Sequence, residues 1–152
     1  MGIAYAVASD DMDCMAHGAY FQIRGFNNRK DPIVLIDNKI ILDTLGLTIE
    51  EFVDLCILCG CDYTGTILGM GPVTAYKYLT ECKNIEGVLR RVKNESMCGK
   101  KKKPMIVPED FNFEEARQMF LYPEVIKEKE ELNKLINFGK CDEKALKEFL
   151  CY

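Results

Sequence analysis

The chain has 152 residues, the size of one ordinary domain, and 48% of them are hydrophobic, which is ample for a packed core and excludes disorder as its main state. No apolar run approaches the roughly 20 residues of a membrane-spanning helix, and the first residues lack the segments of a signal peptide, so we expect an intracellular protein without membrane contact. A net charge of −4 excludes a surface coated in basic residues, so any contact with nucleic acid must be local.

The chain opens with a short apolar segment that is rich in β-forming residues. Residues 3–8 are typical of a strand buried on both faces of a parallel or mixed sheet, and such a strand needs neighbours on both sides. Further strands are predicted only at residues 20–24 and 33–36. We therefore expect that more sheet precedes the first strand in the complete fold. The predicted class is α/β, with an incomplete sheet edge followed by a mainly helical region.

Acidic residues follow this first strand, at the edge where ligands gather in open α/β sheets. Residues two apart in an extended segment share a face, so the carboxylates of Asp11 and Asp13 would point to one spot and that of Asp10 away from it. Two carboxylates that close repel each other unless a cation lies between them, and hard oxygen ligands suit Mg²⁺ or Mn²⁺. The alternative is an acidic turn that caps the next helix.

From Asn38 onward the pattern is helical. A helix at residues 39–45 ends at Gly46, and a capping box of Thr48 and Glu51 starts the next helix, which ends at Gly60. The buried face of that second helix is predicted to hold Phe52, Leu55, Cys56 and Cys59. Later helices are predicted from Pro72 (with Ala75, Tyr76 and Leu79 inward), from Asn84, and at residues 113–120, 130–138 and 142–151, with a polar loop at 93–104.

Eight cysteines follow no disulfide framework, and several lie inside apolar helical patterns, so we interpret them as reduced and mostly buried thiols. A zinc site at Cys56, Cys59 and Cys61 would need a fourth ligand and lacks the paired-knuckle arrangement. Basic clusters at residues 90–93 and 100–103 are either local DNA contacts or solvated surface, and composition alone favours solvated surface.

Residues 67–72 read Ile-Leu-Gly-Met-Gly-Pro and precede a helix, which is the form of a helix-hairpin-helix DNA-binding element. Gly69 and Gly71 permit close backbone approach, and Pro72 at the first helical position leaves neighbouring amides free to face an anion. A helix N-terminus of this kind holds a phosphate without reading the base sequence. The same residues also make a plain turn between helices, and Asp62, just upstream, is by itself an ordinary turn aspartate.

Taken in order and spacing, these features resemble the flap endonuclease family of structure-specific 5′ nucleases. The matching stretches are residues 5–14, 52–63, 69–72, and 107–111 together with 120–125. The resemblance implies the end of a PIN/5′-nuclease-like sheet with a metal-binding loop at residues 1–36. It also implies a helical region at 37–152 with an H2TH-type helix-hairpin-helix element at about 60–92.

The resemblance further implies roles for single residues. Asp11, Asp13 and Asp62 match carboxylates of a two-metal centre, where two Mg²⁺ ions roughly 3.5–4 Å apart support phosphodiester hydrolysis. Gly60 and Asp62 also match positions that lie against the substrate strand. The hairpin positions that match a K⁺-holding loop are Thr66, Ile67 and Met70, and the positions that would face the duplex are Gly69, Gly71, Val73 and Thr74.

Departures from the family pattern are equally specific. The family's metal centre also takes four carboxylates from upstream of the position that matches Met1, and Val73 and Thr74 stand where the family usually has basic residues. The sliding-clamp peptide of the family is not visible before Tyr152. We expect 5′-flap endonuclease and 5′–3′ exonuclease activity on branched DNA in replication and repair, in the nucleus of a eukaryote. The alternatives are a non-catalytic DNA-binding module, and a fragment that pairs with a separate N-terminal nuclease half.

Overall fold

A computed structural model describes residues 4–26, 32–97, 105–136 and 140–151. A small sheet comes first and helices follow, so the predicted α/β class is confirmed. The elements in chain order are β1 (Val7–Ala8), α1 (Asp13–Ala16), β2 (Phe21–Arg24), β3 (Val34–Asp37), α2 (Asn38–Leu45), α3 (Ile49–Cys59), α4 (Pro72–Cys82), α5 (Ile85–Met97), α6 (Phe113–Leu121), α7 (Lys129–Leu135) and α8 (Glu143–Leu150). Across the described ranges, no helix has the length and apolar character to cross a bilayer.

The sheet is mixed and has the order β1-β2-β3. Strand β1 runs parallel to β2, with the short helix α1 in the connection, and β2 runs antiparallel to β3. The first strand is shorter than predicted, and Val7 is 37% exposed, so the expected burial on both faces is wrong for this chain. The reason is its edge position, since β1 pairs only with β2 among the described residues. Ile3 lies outside them.

Local sequence signals fix the ends of α2 and α3. At the start of α2, the Asp37 carboxylate accepts hydrogen bonds from the following amides, and Gly46 ends the helix in a left-handed conformation at φ +64°. The capping box of Thr48 and Glu51 is present at the start of α3, where each side chain accepts a hydrogen bond from the backbone amide of the other. The capping predictions are therefore confirmed.

Helix α3 lies at the centre of the helical region. Helices α1, α4 and α6 pack against it, so its burial extends beyond the single face that was predicted. Val53, Ile57 and Leu58 are inaccessible to solvent, while Phe52, Cys56 and Cys59 are only half-buried. The core continues through Leu79, Val88 and Phe120 of the surrounding helices.

The two tyrosines of α4 differ in burial. Tyr78 is the buried one, with its hydroxyl donating to the carboxylate of Glu95 and the guanidinium of Arg91 lying 3.9 Å from the centre of its ring. Tyr76 is half-buried, and its hydroxyl donates to the Leu45 carbonyl at 2.7 Å. The prediction of Tyr76 as an inward residue holds in part, because its side chain packs against the core while its polar tip reaches back to the end of α2. The burial of Tyr78 was not predicted.

The boundaries of the later helices shift by a few residues. Asn84 caps α5 as predicted, through a hydrogen bond from the Gly87 amide at 2.8 Å, but α5 continues to Met97, so the predicted loop at 93–104 begins later. Residues 98–104 lie outside the described chain. Helices α7 and α8 have no buried residues. The helix predicted at 142–151 is α8, and Asp142 is its N-cap.

Candidate metal centre and DNA-binding hairpin

The loop after β1 is held to β2 by hydrogen bonds. The Ser9 amide donates to the Ile23 carbonyl at 3.1 Å, and the fully buried side-chain amide of Gln22 donates to the carbonyls of Ser9 at 2.9 Å and Asp11 at 2.6 Å. Sequence reasoning missed Gln22, although a glutamine in the middle of an apolar strand was a visible signal. Its side chain determines the backbone path on which the acidic residues lie.

The three acidic residues of this loop take different directions. Asp10 points away from the other two, as predicted, because its carboxylate accepts a hydrogen bond from the Gly25 amide at 2.9 Å and lies 3.9 Å from Arg24. The predicted extended path from Asp11 to Asp13 is wrong: the backbone at Met12 is helical and Asp13 begins α1. The Asp11 carboxylate accepts a hydrogen bond from the Asp13 amide at 3.0 Å, so the capping alternative is also realised.

Electrostatic coupling joins Asp62 to this pair. Burial raises the pKa of the Asp13 carboxyl, the carboxylates of Asp11 and Asp62 raise it further, and His17 opposes the shift. Asp13 is half-buried, while Asp11 and Asp62 are exposed. Asp11 and Asp62 therefore both lie within electrostatic reach of Asp13, although Asp62 is far away in sequence.

The donor chemistry of this group suits a hard cation, but the group does not enclose one. Within residues 4–26, 32–97, 105–136 and 140–151, no three acidic, cysteine or histidine side chains converge closely enough to hold a metal ion. Carboxylate oxygens are the ligands that Mg²⁺ prefers, and Mg²⁺ commonly keeps several waters and takes only one or two protein carboxylates. The arrangement fits an open, oxygen-lined site that needs further ligands.

The cysteines near this site are neutral thiols. Burial raises the pKa of the Cys56 thiol to about 12 and raises the pKa values of Cys59 and Cys61 as well. These raised pKa values favour the protonated thiol while no metal is bound. All three are free, in agreement with the interpretation as reduced cysteines, but they are half-buried rather than buried.

A ring cluster adjoins the carboxylates. His17, at the end of α1, and Tyr63, next to Asp62, share a hydrogen bond of 3.2 Å between Nε2 and the hydroxyl oxygen. The buried ring of Phe120 in α6 lies 4.9 Å, centroid to centroid, from each of them. Neither His17 nor Phe120 was predicted as a site residue, because no local pattern links positions so far apart in the chain.

The hairpin starts at Gly60, where the backbone needs a glycine. Its φ is +106°, and a Cβ atom there would lie 3.2 Å from Thr66 Oγ1. Thr66 itself is exposed, whereas the side chains of Ile67 and Met70 are buried. The Met70 amide donates to the Ile67 carbonyl at 3.3 Å across Gly69, and these contacts close the loop.

The end of the hairpin presents backbone amides at the start of α4. Gly71 precedes the helix with no side-chain cap within the described chain, and Pro72 occupies the first turn. The amides of Val73 and Thr74 lie in that first turn, where helical amides have no intrahelical partner. Val73 is 84% exposed and Thr74 is half-buried, so the helix start is open to solvent.

A second segment supports the hairpin from outside. Leu68 forms an antiparallel bridge with Ile106, and the Gly65 amide donates to the Asp110 carbonyl at 3.3 Å. A Cβ atom on Gly65 would lie 2.3 Å from Asp110 Oδ1 and 2.8 Å from Pro108 Cγ, so a larger residue there would force this segment to shift. Residues 105–110 thus pack along the loop.

Only part of the basic cluster at residues 90–93 is open to solvent. Arg91 pairs with Glu81 and Glu95, so it stabilises the contact between α4 and α5. Arg90 and Lys93 are exposed on α5. The lysine cluster at 100–103 lies outside the described residues.

Comparison with known proteins assigns the chain to a family. The XPG I-region profile matches residues 1–62. Flap endonuclease 1-1 of Paramecium tetraurelia is 41% identical over 152 residues, which cover 98% of this chain and 38% of that protein. The chain belongs to the flap endonuclease family. It spans little more than a third of the length of the curated flap endonucleases that it matches.

Solved structures of nucleases share the fold of this flap endonuclease relative. The catalytic core of Rad2 in complex with DNA substrate superposes with a TM-score of 0.75 at 22% identity, over 95% of this chain and 50% of that one. The Holliday junction-resolving enzyme GEN1, in complex with product DNA and Mg²⁺, gives a TM-score of 0.68 at 24% identity, over 97% of this chain and 42% of that one. At these identities the likeness concerns the fold.

Proposed function

We propose that the chain contributes to a Mg²⁺-dependent nuclease that cleaves 5′ flaps and other branched DNA in replication and repair. The observation that carries the proposal is the electrostatic coupling of Asp11, Asp13 and Asp62 where β1 ends, in a chain of the flap endonuclease family. The sheet at residues 1–36 would supply the metal-binding loop, and the helical region at 37–152 the DNA contact.

Asp11, Asp13 and Asp62 would hold the Mg²⁺ ions, with Mn²⁺ as a possible substitute, together with carboxylates from another part of the nuclease. Bound metal would supply activation of water and stabilisation of the leaving oxygen of a phosphodiester. The chain's own contribution is positional. The Asp11 backbone is fixed by Gln22, Asp13 begins a helix, and the turn after α3 presents Asp62.

The hairpin at about residues 60–92 would hold the duplex through its phosphates. The uncapped first turn of α4 offers amides at the positive end of a helix, a favourable place for a phosphate. K⁺ would bind between the exposed hydroxyl of Thr66 and backbone oxygens of Ile67 and Met70. With Val73 and Thr74 in place of basic residues, the salt dependence of binding should be shallow.

Exposed apolar surface supports a partner for the sheet. Tyr5, Tyr20 and Leu35, on or beside its strands, are each more than half exposed, at 76%, 73% and 55%. Large apolar side chains left exposed around a small sheet commonly mark an interaction site. We propose that the sheet pairs with the nuclease half that supplies the remaining metal ligands, in the nucleus of a eukaryotic cell.

A flap cleavage assay tests the proposal. The purified chain is incubated with Mg²⁺ and a 5′-labelled flap duplex, alone and with a second chain that carries the upstream half of a flap endonuclease. We expect cleavage only with both chains, and its loss in Asp62→Ala. Asp10→Asn is the matched control, because Asp10 lies in the same loop and its remaining oxygen still accepts the Gly25 amide. Equal activity of Asp62→Ala and Asp10→Asn would contradict the role of the carboxylates.

A second candidate is a DNA-binding module without catalysis. It is favoured by the absence, within the described residues, of a cluster that encloses a metal ion. Binding of the flap duplex without cleavage in every combination, together with loss of binding when Thr74 is replaced by Glu at the helix start, would support the module.

A further inference from the structure

We propose that the hydrogen bond between His17 and Tyr63 is a positioning tether, which fixes the turn that carries Asp62 against the helix that carries Asp13. The proposal rests on the proposed function, because it assigns these two side chains to the metal centre. Neither residue is a ligand of the metal. Each acts through the neighbouring carboxylate.

The tether joins the two elements that must meet. His17 lies one helical turn after Asp13, at the end of α1, and Tyr63 directly follows Asp62 in the turn after α3. A single hydrogen bond of 3.2 Å between their side chains therefore connects segments that are 46 residues apart. A shift of the turn relative to α1 would have to break this bond.

A buried ring gives the tether a fixed base. Phe120 is 1% exposed and lies 4.9 Å from both rings, with an angle of 76° to Tyr63 and 48° to His17. Edge-to-face contacts at such distances favour defined ring orientations. Because Phe120 belongs to α6, which packs on α3, the tether is anchored in the core of the helical region.

The tether opposes electrostatic repulsion between the carboxylates. Without a cation, the carboxylates of Asp11, Asp13 and Asp62 repel one another and drive the turn away from α1. The hydrogen bond between His17 and Tyr63 opposes this motion. The metal-free site would then keep an arrangement close to the one that binds metal, which lowers the ordering cost of binding.

A double-mutant cycle tests the tether. Mn²⁺ binding to the chain is measured by electron paramagnetic resonance for the unsubstituted protein, Tyr63→Phe, His17→Phe and the double variant, at one fixed pH. Both single variants keep an aromatic ring against Phe120 and lose the hydrogen bond. His17→Phe also removes the electrostatic effect of His17 on Asp13, so Tyr63→Phe isolates the hydrogen bond more cleanly. We expect each to weaken Mn²⁺ affinity by about two- to tenfold, the range that one neutral hydrogen bond supplies, with no further loss in the double variant.

Tyr76→Phe is the matched control. It also removes one tyrosine hydroxyl that donates a hydrogen bond, to the Leu45 carbonyl at 2.7 Å, but at a distance from the carboxylates. If loss of a hydroxyl acts only through general stability, Tyr76→Phe and Tyr63→Phe should weaken Mn²⁺ binding alike. That result would overturn the tether. Normal Mn²⁺ affinity in Tyr76→Phe, together with weakened affinity in Tyr63→Phe, supports it.

Backbone order measured without metal separates the tether from the proposed function. The ¹⁵N order parameters of residues 62–64 should fall from about 0.85, typical of rigid backbone, towards about 0.6 in Tyr63→Phe and remain high in Tyr76→Phe. If the unsubstituted chain binds no Mn²⁺, the metal centre is contradicted and the order parameters alone decide the tether. If Mn²⁺ binds equally in all variants and the turn stays ordered, the tether is overturned and the metal centre stands.

Discussion

Replacing Arg117 should remove much of the stability of the helical region, because it leaves a buried carboxylate without its partner. Arg117 in α6 donates from Nε to Asp54 Oδ1 at 2.7 Å and from its terminal nitrogen to Oδ2 at 2.8 Å, a two-point pairing with α3. Asp54 is only 6% exposed. Breaking a buried pair from one side typically costs about 3–5 kcal/mol. That is a large share of the roughly 5–15 kcal/mol that stabilise a domain.

Urea denaturation followed by circular dichroism measures this cost at pH 7. Arg117→Met is the informative variant, since it keeps an apolar stem and removes the charge, together with the guanidinium contact to the Phe113 ring. The double variant Asp54→Leu, Arg117→Met should recover most of the loss, because an apolar pair of similar volume often replaces a buried ion pair at little cost. A loss below about 1 kcal/mol in Arg117→Met, the level typical of an exposed pair, would refute the reasoning.

The sign of the pH dependence gives an independent check. Burial raises the pKa of the Asp54 carboxyl and Arg117 lowers it, so removing Arg117 should raise this pKa further. The folded variant then holds a proton at pH values where the unfolded chain has released it. Its stability therefore falls as the pH rises from the unfolded pKa to the folded pKa. The deficit of the variant should be full at pH 7 and shrink as the pH drops through the folded pKa.

Three further outcomes follow from the site and its surroundings. Gln22→Leu should weaken Mn²⁺ binding measurably, because it removes both hydrogen bonds to the acidic loop. The free energy of unfolding should change little, because the substitution also removes a buried oxygen that has no partner in the described residues. Asp13→Asn should abolish Mn²⁺ binding and yet stabilise the metal-free chain at pH 7 by about 0.2–1 kcal/mol in thermal denaturation. Repulsion from the neighbouring carboxylates is relieved, and the gain should vanish at a pH low enough to protonate Asp13. Gly65→Ala should cost about 1–3 kcal/mol through the clash with Asp110, whereas Gly71→Ala, with no atom within 4 Å of the added Cβ, should cost clearly less in the same measurement.

The features that the sequence predicts best are those that depend on a few neighbouring residues. Capping residues fix the starts of α2, α3 and α5, and their signals are complete within a few positions. Thr48 and Asn84 act as expected, and Asp37, which was not predicted as a cap, acts in the same way. The turn before α4 is equally local. Burial is different, since the all-round burial of α3 depends on three helices that arrive from distant parts of the chain.

In the candidate site, too, local features could be predicted from the sequence and contacts between distant residues could not. The carboxylates of Asp11, Asp13 and Asp62 could be proposed from position and resemblance, but the path between the first two could not. A helical residue at Met12 replaces the expected extended segment, because the Asp11 carboxylate caps the amide of Asp13. Gln22 acts on this loop from the next strand. Only the folded chain shows which polar side chain faces which carbonyl.

Gln22, which holds the acidic loop in place, is neutral, and this has a physical reason. Arg24 lies near Asp10, the acidic residue that points away from the other two, and other charged pairs of the described chain lie farther away: Arg117 binds Asp54 between α3 and α6, and Arg91 binds acidic partners on α4 and α5. An arginine paired with Asp11 or Asp62 would satisfy the carboxylate and compete with a divalent cation for it. A glutamine amide that holds backbone carbonyls fixes the same loop and leaves the negative charge uncompensated. The site thus keeps a repulsion that a bound cation would relieve, while the helical core around it supplies the stability that the acidic cluster lacks.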